Sequence, residues 1–140
     1  MRIPKIPAEY SATLPAERGA DAPVFHYTFD GDAAAEHTAR FAMMIGPHLP
    51  EVPEGATPEQ IAEIENRPVS AAAAAALARF HADVFNAQIT RIDNLLIGDE
   101  PFDRNAEGHL RSIPGAWKIA IGREIYSRAR RELTEAEEGN

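Results

Sequence analysis

Eleven prolines set the first limit on this 140-residue chain. Proline lacks a backbone N–H and clashes with the carbonyl four residues earlier, so a helix tolerates it in the first turn and excludes it from the interior. Four of the prolines lie between Met1 and Pro23, and that segment reads as an extended arm that cannot form helix. Gly46-Pro47 stops a helix running through AAAEHTARFAMMI, and HLPEVPEGA is a proline-rich connector. Thr57-Pro58-Glu59-Gln60 has capping-box spacing with proline at the first helical position, which starts a short helix to about Asn66 that Pro68 closes. Pro114 opens the last helix.

Between these stops the patterning is local and readable. VFHYTFD, Val24 to Asp30, puts Phe25, Tyr27 and Phe29 on one side and Val24, His26 and Thr28 on the other, which predicts a half-buried strand with an aromatic inner face. Asp32 reads as the acceptor for the free amides opening the next helix. In that helix Ala34, Thr38, Phe41, Met44 and Ile45 recur at helical spacing. Ser70 opens SAAAAAALARFHADVFNAQ, the strongest helical run by propensity, with Leu77, Phe80, Val84 and Phe85 expected inside. Its six consecutive alanines suit either the close approach of another helix or a helix formed by propensity alone.

ITRIDNLLIGDEPF, Ile89 to Phe102, reads as a short strand from about Gln88 and a loop through Pro101, or as helix continued to Asn94. Asp103 reads as the cap of a short helix ending near Ser112. The expected fold is α+β and predominantly helical, with four to five helices, one or two short strands and an extended N-terminal arm. It divides into an arm at 1–23, a single domain at 24–133 and an acidic tail at 134–140.

A formal net charge of −8 works against attraction to phosphate backbones, whose binding depends on lysine and arginine displacing counterions. Nucleic acid is therefore not an expected partner, although carboxylates arrayed on one surface would make an anionic decoy that imitates DNA. With no cysteine there is no disulfide framework and no thiolate nucleophile. No stretch approaches the roughly 18 apolar residues of a membrane span, and MRIPKIPAEYS lacks the apolar run of a signal peptide, so a soluble chain is expected.

His26, His37, His48, His81 and His109 are widely separated, without the paired spacing that holds zinc on one helix face. DGDAAAEHTARF begins like a calcium loop but carries Ala34 and Ala35 where a ligand and the turn glycine are required. GDEPFD groups Asp99, Glu100 and Asp103, which a solvated turn and helix cap explain. No enzyme, catalytic residue, metal or cofactor is expected.

The last helix, PGAWKIAIGREIYSRARREL, holds the only tryptophan and five of the fourteen basic residues. At about 100° per residue, Trp117, Ile121, Ile125, Tyr126, Ala129 and Leu133 share a broad arc that reads as the buried stripe. Arg123, Arg130 and Arg131 lie opposite with Glu124, Arg128 sits near the stripe's edge, and Lys118 interrupts it in the first turn. The cations thus do not form the single exposed stripe of a nucleic-acid recognition helix. Arginine near the C-terminal end also complements the helix dipole.

The alanine-rich helix, ITRIDNLLIGDEPFD and the closing IPGAWKIAIGREIYSRARRELTEAEEGN together resemble small morphogenesis proteins of tailed bacteriophages, most of all the tail assembly chaperone type. The resemblance rests mainly on Gln88 to Asn140. It implies a non-enzymatic, mostly helical protein that shields long apolar helices of a tape-measure protein and recruits tail-tube subunits in the host cytoplasm. Candidate partner contacts under that reading are Phe41, Met43, Met44, Trp117, Ile121, Ile125 and Tyr126, with Arg123 and Arg130 on the exposed side. The alternatives are a virion component, a capsid decoration or head–tail joining subunit whose arm reaches across a neighbour, and an acidic inhibitor; self-association remains open.

Overall fold

The computed structural model describes residues 1–3, 5–17 and 19–138, with side chains in the last helix as far as Glu132. Strand β1 (Tyr10–Thr13) and strand β2 (Val24–Tyr27) lead into helix α1 (Gly31–Ile45), which passes into a one-turn 3-10 segment at Gly46–His48. Helix α2 (Pro58–Glu65) and helix α3 (Ala71–Gln88) come next, then strand β3 (Ile89–Asp93). A small hairpin, β4 (Leu96–Ile97) and β5 (Glu100–Pro101), and a second 3-10 turn at Leu110–Ser112 precede helix α4 (Gly115–Glu138). The result is the expected helix-rich α+β fold, with four α-helices among the described residues.

The three-stranded sheet is antiparallel in the order β1-β2-β3, with Tyr10 opposite Tyr27 and Phe25 opposite Ile92. Its central strand is the one whose aromatic alternation predicts it. Phe25 and Tyr27 are fully buried and Phe29 nearly so. The Phe25 ring meets Phe85 of α3 edge-on at 6.0 Å and Trp117 of α4 at 6.2 Å, so the aromatic face of the sheet is covered by the two long helices. Trp117 is only half-buried, at the rim of this contact.

The arm is where expectation and structure part. Tyr10–Thr13 is a sheet strand because Tyr10, Ala12 and Leu14 alternate with Ser11 and Thr13, and the first set is buried. Pro7 and Pro15 bracket the strand from outside, where no ladder hydrogen bond is lost. Tyr10 stacks on Tyr27 at 5.3 Å, and Arg128 of α4 lies over the Tyr10 ring at 5.0 Å while donating to the Ser11 carbonyl at 3.1 Å. A charged clip closes the other side: Arg91 reaches Glu9 at 3.0 Å and Asp93 at 2.8 Å, and His26 Nε2 lies 2.8 Å from Asp93.

Helix starts are set by side-chain chemistry. Asp30, not Asp32, caps α1, accepting from the Ala33 amide at 2.8 Å, because the helix begins at Gly31 and leaves Asp32 inside the first turn. The buried face of α1 includes His37, whose Nε2 bonds Gln88 Oε1 at 3.1 Å, whereas Thr38 is exposed. Thr57 and Gln60 form the expected capping box, and Ser70 accepts from the Ala73 amide to start α3. The β-branched Ile89, Thr90 and Ile92 favour β3, as the strand reading of that segment has it. Gly98, at φ 62°, turns the hairpin where a loop was expected. No α-helix forms between Asp103 and Ser112: Gly108 sits at φ 80° and interrupts it, and among the described residues the Asp103 carboxylate accepts only from the Asn105 amide.

On α4 the predicted stripe is buried at Ile121, Ile125, Tyr126 and Ala129, and the helix continues past Leu133 to Glu138. The Leu133 side chain and the end of the predicted acidic tail, Gly139 and Asn140, lie outside the described residues. Between the buried members sits Gly122. A Cβ there would lie 1.9 Å from the His81 carbonyl oxygen, so α4 and α3 pass backbone to backbone at this point. Neither group can yield without separating the helices. Gly122→Ala is expected to cost about 3 kcal/mol by overpacking, measured as loss of unfolding free energy in urea, whereas Gly115→Ala, which meets nothing within 4 Å, is expected to be near neutral.

Candidate functional site

The close passage at Gly122 gathers side chains from three helices into an open groove of about 580 Å³. Its floor is Phe41 of α1, Leu77 and His81 of α3, and Tyr126 of α4; its rim on α4 is Arg123, Ser127, Arg130 and Arg131. Aromatic packing holds the floor in place. Phe41 stacks on Tyr126 at 5.9 Å, and Phe80 beneath meets Tyr126 at 4.9 Å and Phe41 at 5.3 Å, both edge-on. An ion pair between Arg40 and Asp83 at 2.8 Å ties α1 to α3 alongside.

The rim is a product of helical spacing. Positions 123, 127, 130 and 131 are separated by one and two turns, so they project over one groove. Arg128 instead serves β1, and the Lys118 ammonium lies 6.0 Å from the Phe85 ring. The cations of α4 are therefore divided by job, and three of them converge, more than their scatter in the sequence suggests. Arg130 lies over the Tyr126 ring at 5.4 Å. Arg123, Arg130 and Arg131 make no ion pair among the described residues, in contrast to Arg40 and to Arg128, which reaches Glu132 at 3.3 Å.

His81 is the unusual member. It is 6% exposed, and its Nδ1 has no hydrogen-bond partner among the described residues. Burial holds its imidazole below the ordinary value of 6.5, and the nearby Arg123 guanidinium adds to the effect. The ring is thus neutral at pH 7, and the positive charge of the groove comes from arginine. Planar guanidinium groups over an aromatic floor favour carboxylates presented beside apolar side chains.

Of the residues expected to contact a partner, the groove unites Phe41, Tyr126, Arg123 and Arg130. Ile121 and Ile125 are fully buried between α4 and the core, so they offer no surface to a partner; the stripe that suggests them is an internal one. Tyr126 is itself 5% exposed and shows little more than an edge. Met44 is half-buried against the core, Trp117 packs on Phe25, and Met43, 78% exposed, stands off the groove. Leu77, His81, Ser127 and Arg131 are not expected at a site from sequence. Arg131 carries a signal, its spacing from Arg123; His81 carries none.

Elsewhere, His109 bonds the Asp103 amide through Nδ1 at 3.0 Å and lies 3.2 Å from Glu100, which accounts for the GDEPFD acids in part. Among the described residues no three histidine, aspartate or glutamate side chains converge as metal ligands, and no helix is long and apolar enough to cross a membrane. Comparison of the chain with family models, curated proteins and solved structures finds no match to any of them.

The shifted groups define two pH windows. For His81 the folded state binds fewer protons than the unfolded chain, so its contribution is full above pH 6.5 and is lost as pH falls below it. Glu9 is held below 4.5 by its hydrogen bond to Arg91, and Asp93 below 3.8 by its bond to His26, so the clip on β1 persists to lower pH. Thermal melting is expected to show a fall in Tm as pH drops below about 6.5 that His81→Leu reduces. A further loss in the acid range is expected to survive that substitution and to be smaller in Glu9→Gln/Asp93→Asn.

Proposed function

We propose that the protein is a non-enzymatic binding protein of phage morphogenesis, of the tail assembly chaperone kind, and that the groove between α1, α3 and α4 holds an acidic amphipathic segment of another polypeptide. One observation carries this reading: a chain of net charge −8 concentrates three arginines over a floor of Phe41, Leu77, His81 and Tyr126. The surrounding acidity disfavours a long polyanion such as DNA. A short helix with an apolar anchor and a few carboxylates meets three arginines beside an apolar floor in the groove, so complementarity supplies selectivity. The same acidic exterior keeps the complex soluble while it shields the apolar side chains of its client. The setting for such work is the host cytoplasm before tail assembly.

A virion component is the second reading, supported by the exposed Met1 and Ile3 at the start of the chain, which provide apolar surface for a neighbouring subunit.

The first reading is tested by fluorescence anisotropy with a synthetic amphipathic peptide bearing leucine anchors and glutamates. Binding is expected to weaken with salt, and Arg123→Glu/Arg130→Glu is expected to raise Kd by about tenfold or more. Arg111→Glu, exposed and off the groove, serves as the control. Co-expression with a long helical tail protein extends the test: wild type is expected to keep that protein soluble and the double variant to fail. Equal binding by wild type and the double variant removes the groove from consideration.

A further inference from the structure

A second concave surface lies away from the arginine groove, where the 48–70 segment folds against the start of α3. It encloses about 460 Å³ between Leu49, Val52, Ile64, Pro68, Val69 and Ala73. Leu49, Val52 and Val69 are more than half exposed, Val69 at 69%, so the surface is apolar and uncovered within the chain. The segment that forms it is acidic: residues 48–70 carry Glu51, Glu54, Glu59, Glu63 and Glu65 against the single Arg67, and of these Glu65 and Arg67 line the surface itself. None of these glutamates makes an ion pair among the described residues.

The opposite chemistry stands at the start of the chain. MRIPKIP interleaves apolar and basic residues, and its described members form neither helix nor strand. Ile6 packs against the core and β1 is fixed in the sheet, but Met1 and Ile3 are exposed, Ile3 at 73%. Arg2 and Lys5 beside them are exposed and make no ion pair among the described residues. Neither Met1 nor Ile3 lines the apolar surface of its own chain.

We infer that the apolar surface of residues 48–73 receives the N-terminal segment Met1 to Lys5 of a second copy of this chain, Met1 and Ile3 entering between Leu49, Val52 and Val69 while Arg2 and Lys5 face the glutamates. The match is of shape class and of charge. An extended chain puts Met1 and Ile3 on one side, two residues apart, and the cations flanking them meet a stretch with five glutamates against one arginine. One short arm in one groove falls below the roughly 1,000 Å² that a stable interface needs. Reciprocal exchange about a two-fold axis doubles the contact and closes the assembly, so a dimer is the expected product. The inference is independent of the arginine groove and stands or falls without it.

Sedimentation equilibrium of the full chain supplies the first arm of the test. Wild type is expected to dimerise with a salt-sensitive Kd, and Ile3→Asp and Val69→Asp are each expected to raise that Kd by about tenfold or more. Met43→Asp, exposed and apolar but elsewhere, is expected to dimerise as wild type does. All three sites are exposed, and unchanged melting temperatures verify the fold. The second arm exploits the absence of cysteine: Ile3→Cys/Val69→Cys is expected to give a covalent dimer under mild oxidation, and Ile3→Cys/Met43→Cys is not. A wild type that stays monomeric at every reachable concentration, a dimer indifferent to both aspartates, or an intrachain disulfide in the double-cysteine chain overturns the inference.

Discussion

At Gly122 helix α4 runs across α3 with only a hydrogen between its backbone and the His81 carbonyl. Helices whose side chains separate them lie about 8–10 Å apart; here one missing side chain brings the axes together locally. Tyr126 then reaches the edge of Phe80 and the face of Phe41, and Trp117 reaches Phe25. Move the helices apart and the aromatic floor loses its support, as does the contact that covers the sheet. The alanine-rich start of α3 contributes less to this approach than its composition suggests: only Ala73 of the six alanines is buried.

Charge is sorted by the fold. In the sequence, charges come in short runs of either sign, and the net charge of −8 conveys little about any surface. Folding places three arginines of α4 over one groove and builds another, lined by Glu65 and Arg67, from a segment that carries five glutamates. Other charges are spent on architecture: Arg128 on β1, Arg91 between Glu9 and Asp93, Arg40 on Asp83, and Arg104 on the Ile89 carbonyl at 2.6 Å. The first two surfaces remain available for recognition because their charges are not so engaged among the described residues.

The features legible in the sequence are those that depend on neighbours in the chain. The aromatic alternation at Phe25, Tyr27 and Phe29, the capping box at Thr57, the Ser70 cap and the apolar arc of the last helix all arise from spacings of a few residues. Asp30 and Asp32 compete for one cap two positions apart, and only the helix's actual start decides between them. Tyr10–Thr13 leaves only a faint local mark, a short alternation fenced by prolines that becomes a strand when Tyr27 and Arg128 are beside it. The arginine groove is legible in part: its members Phe41, Arg123, Tyr126 and Arg130 stand out individually. Their convergence depends on Gly122 and on packing across some 40 to 85 residues of chain, which no local pattern encodes. Ile121 and Ile125 show the converse, since a strongly apolar helical face marks the interior and carries no information about outside partners.

The bond from Arg128 to the Ser11 carbonyl spans 117 residues. A ribosome adds about 5–20 residues per second, so the first strand waits on the order of ten seconds after its own synthesis for the helix that fastens it. During that interval Tyr10, Ala12 and Leu14 have no lasting home. Four residues, fenced by Pro7 and Pro15, are too short a template to recruit neighbouring nascent chains, which makes the brevity of β1 a safeguard in translation as well as a detail of the sheet.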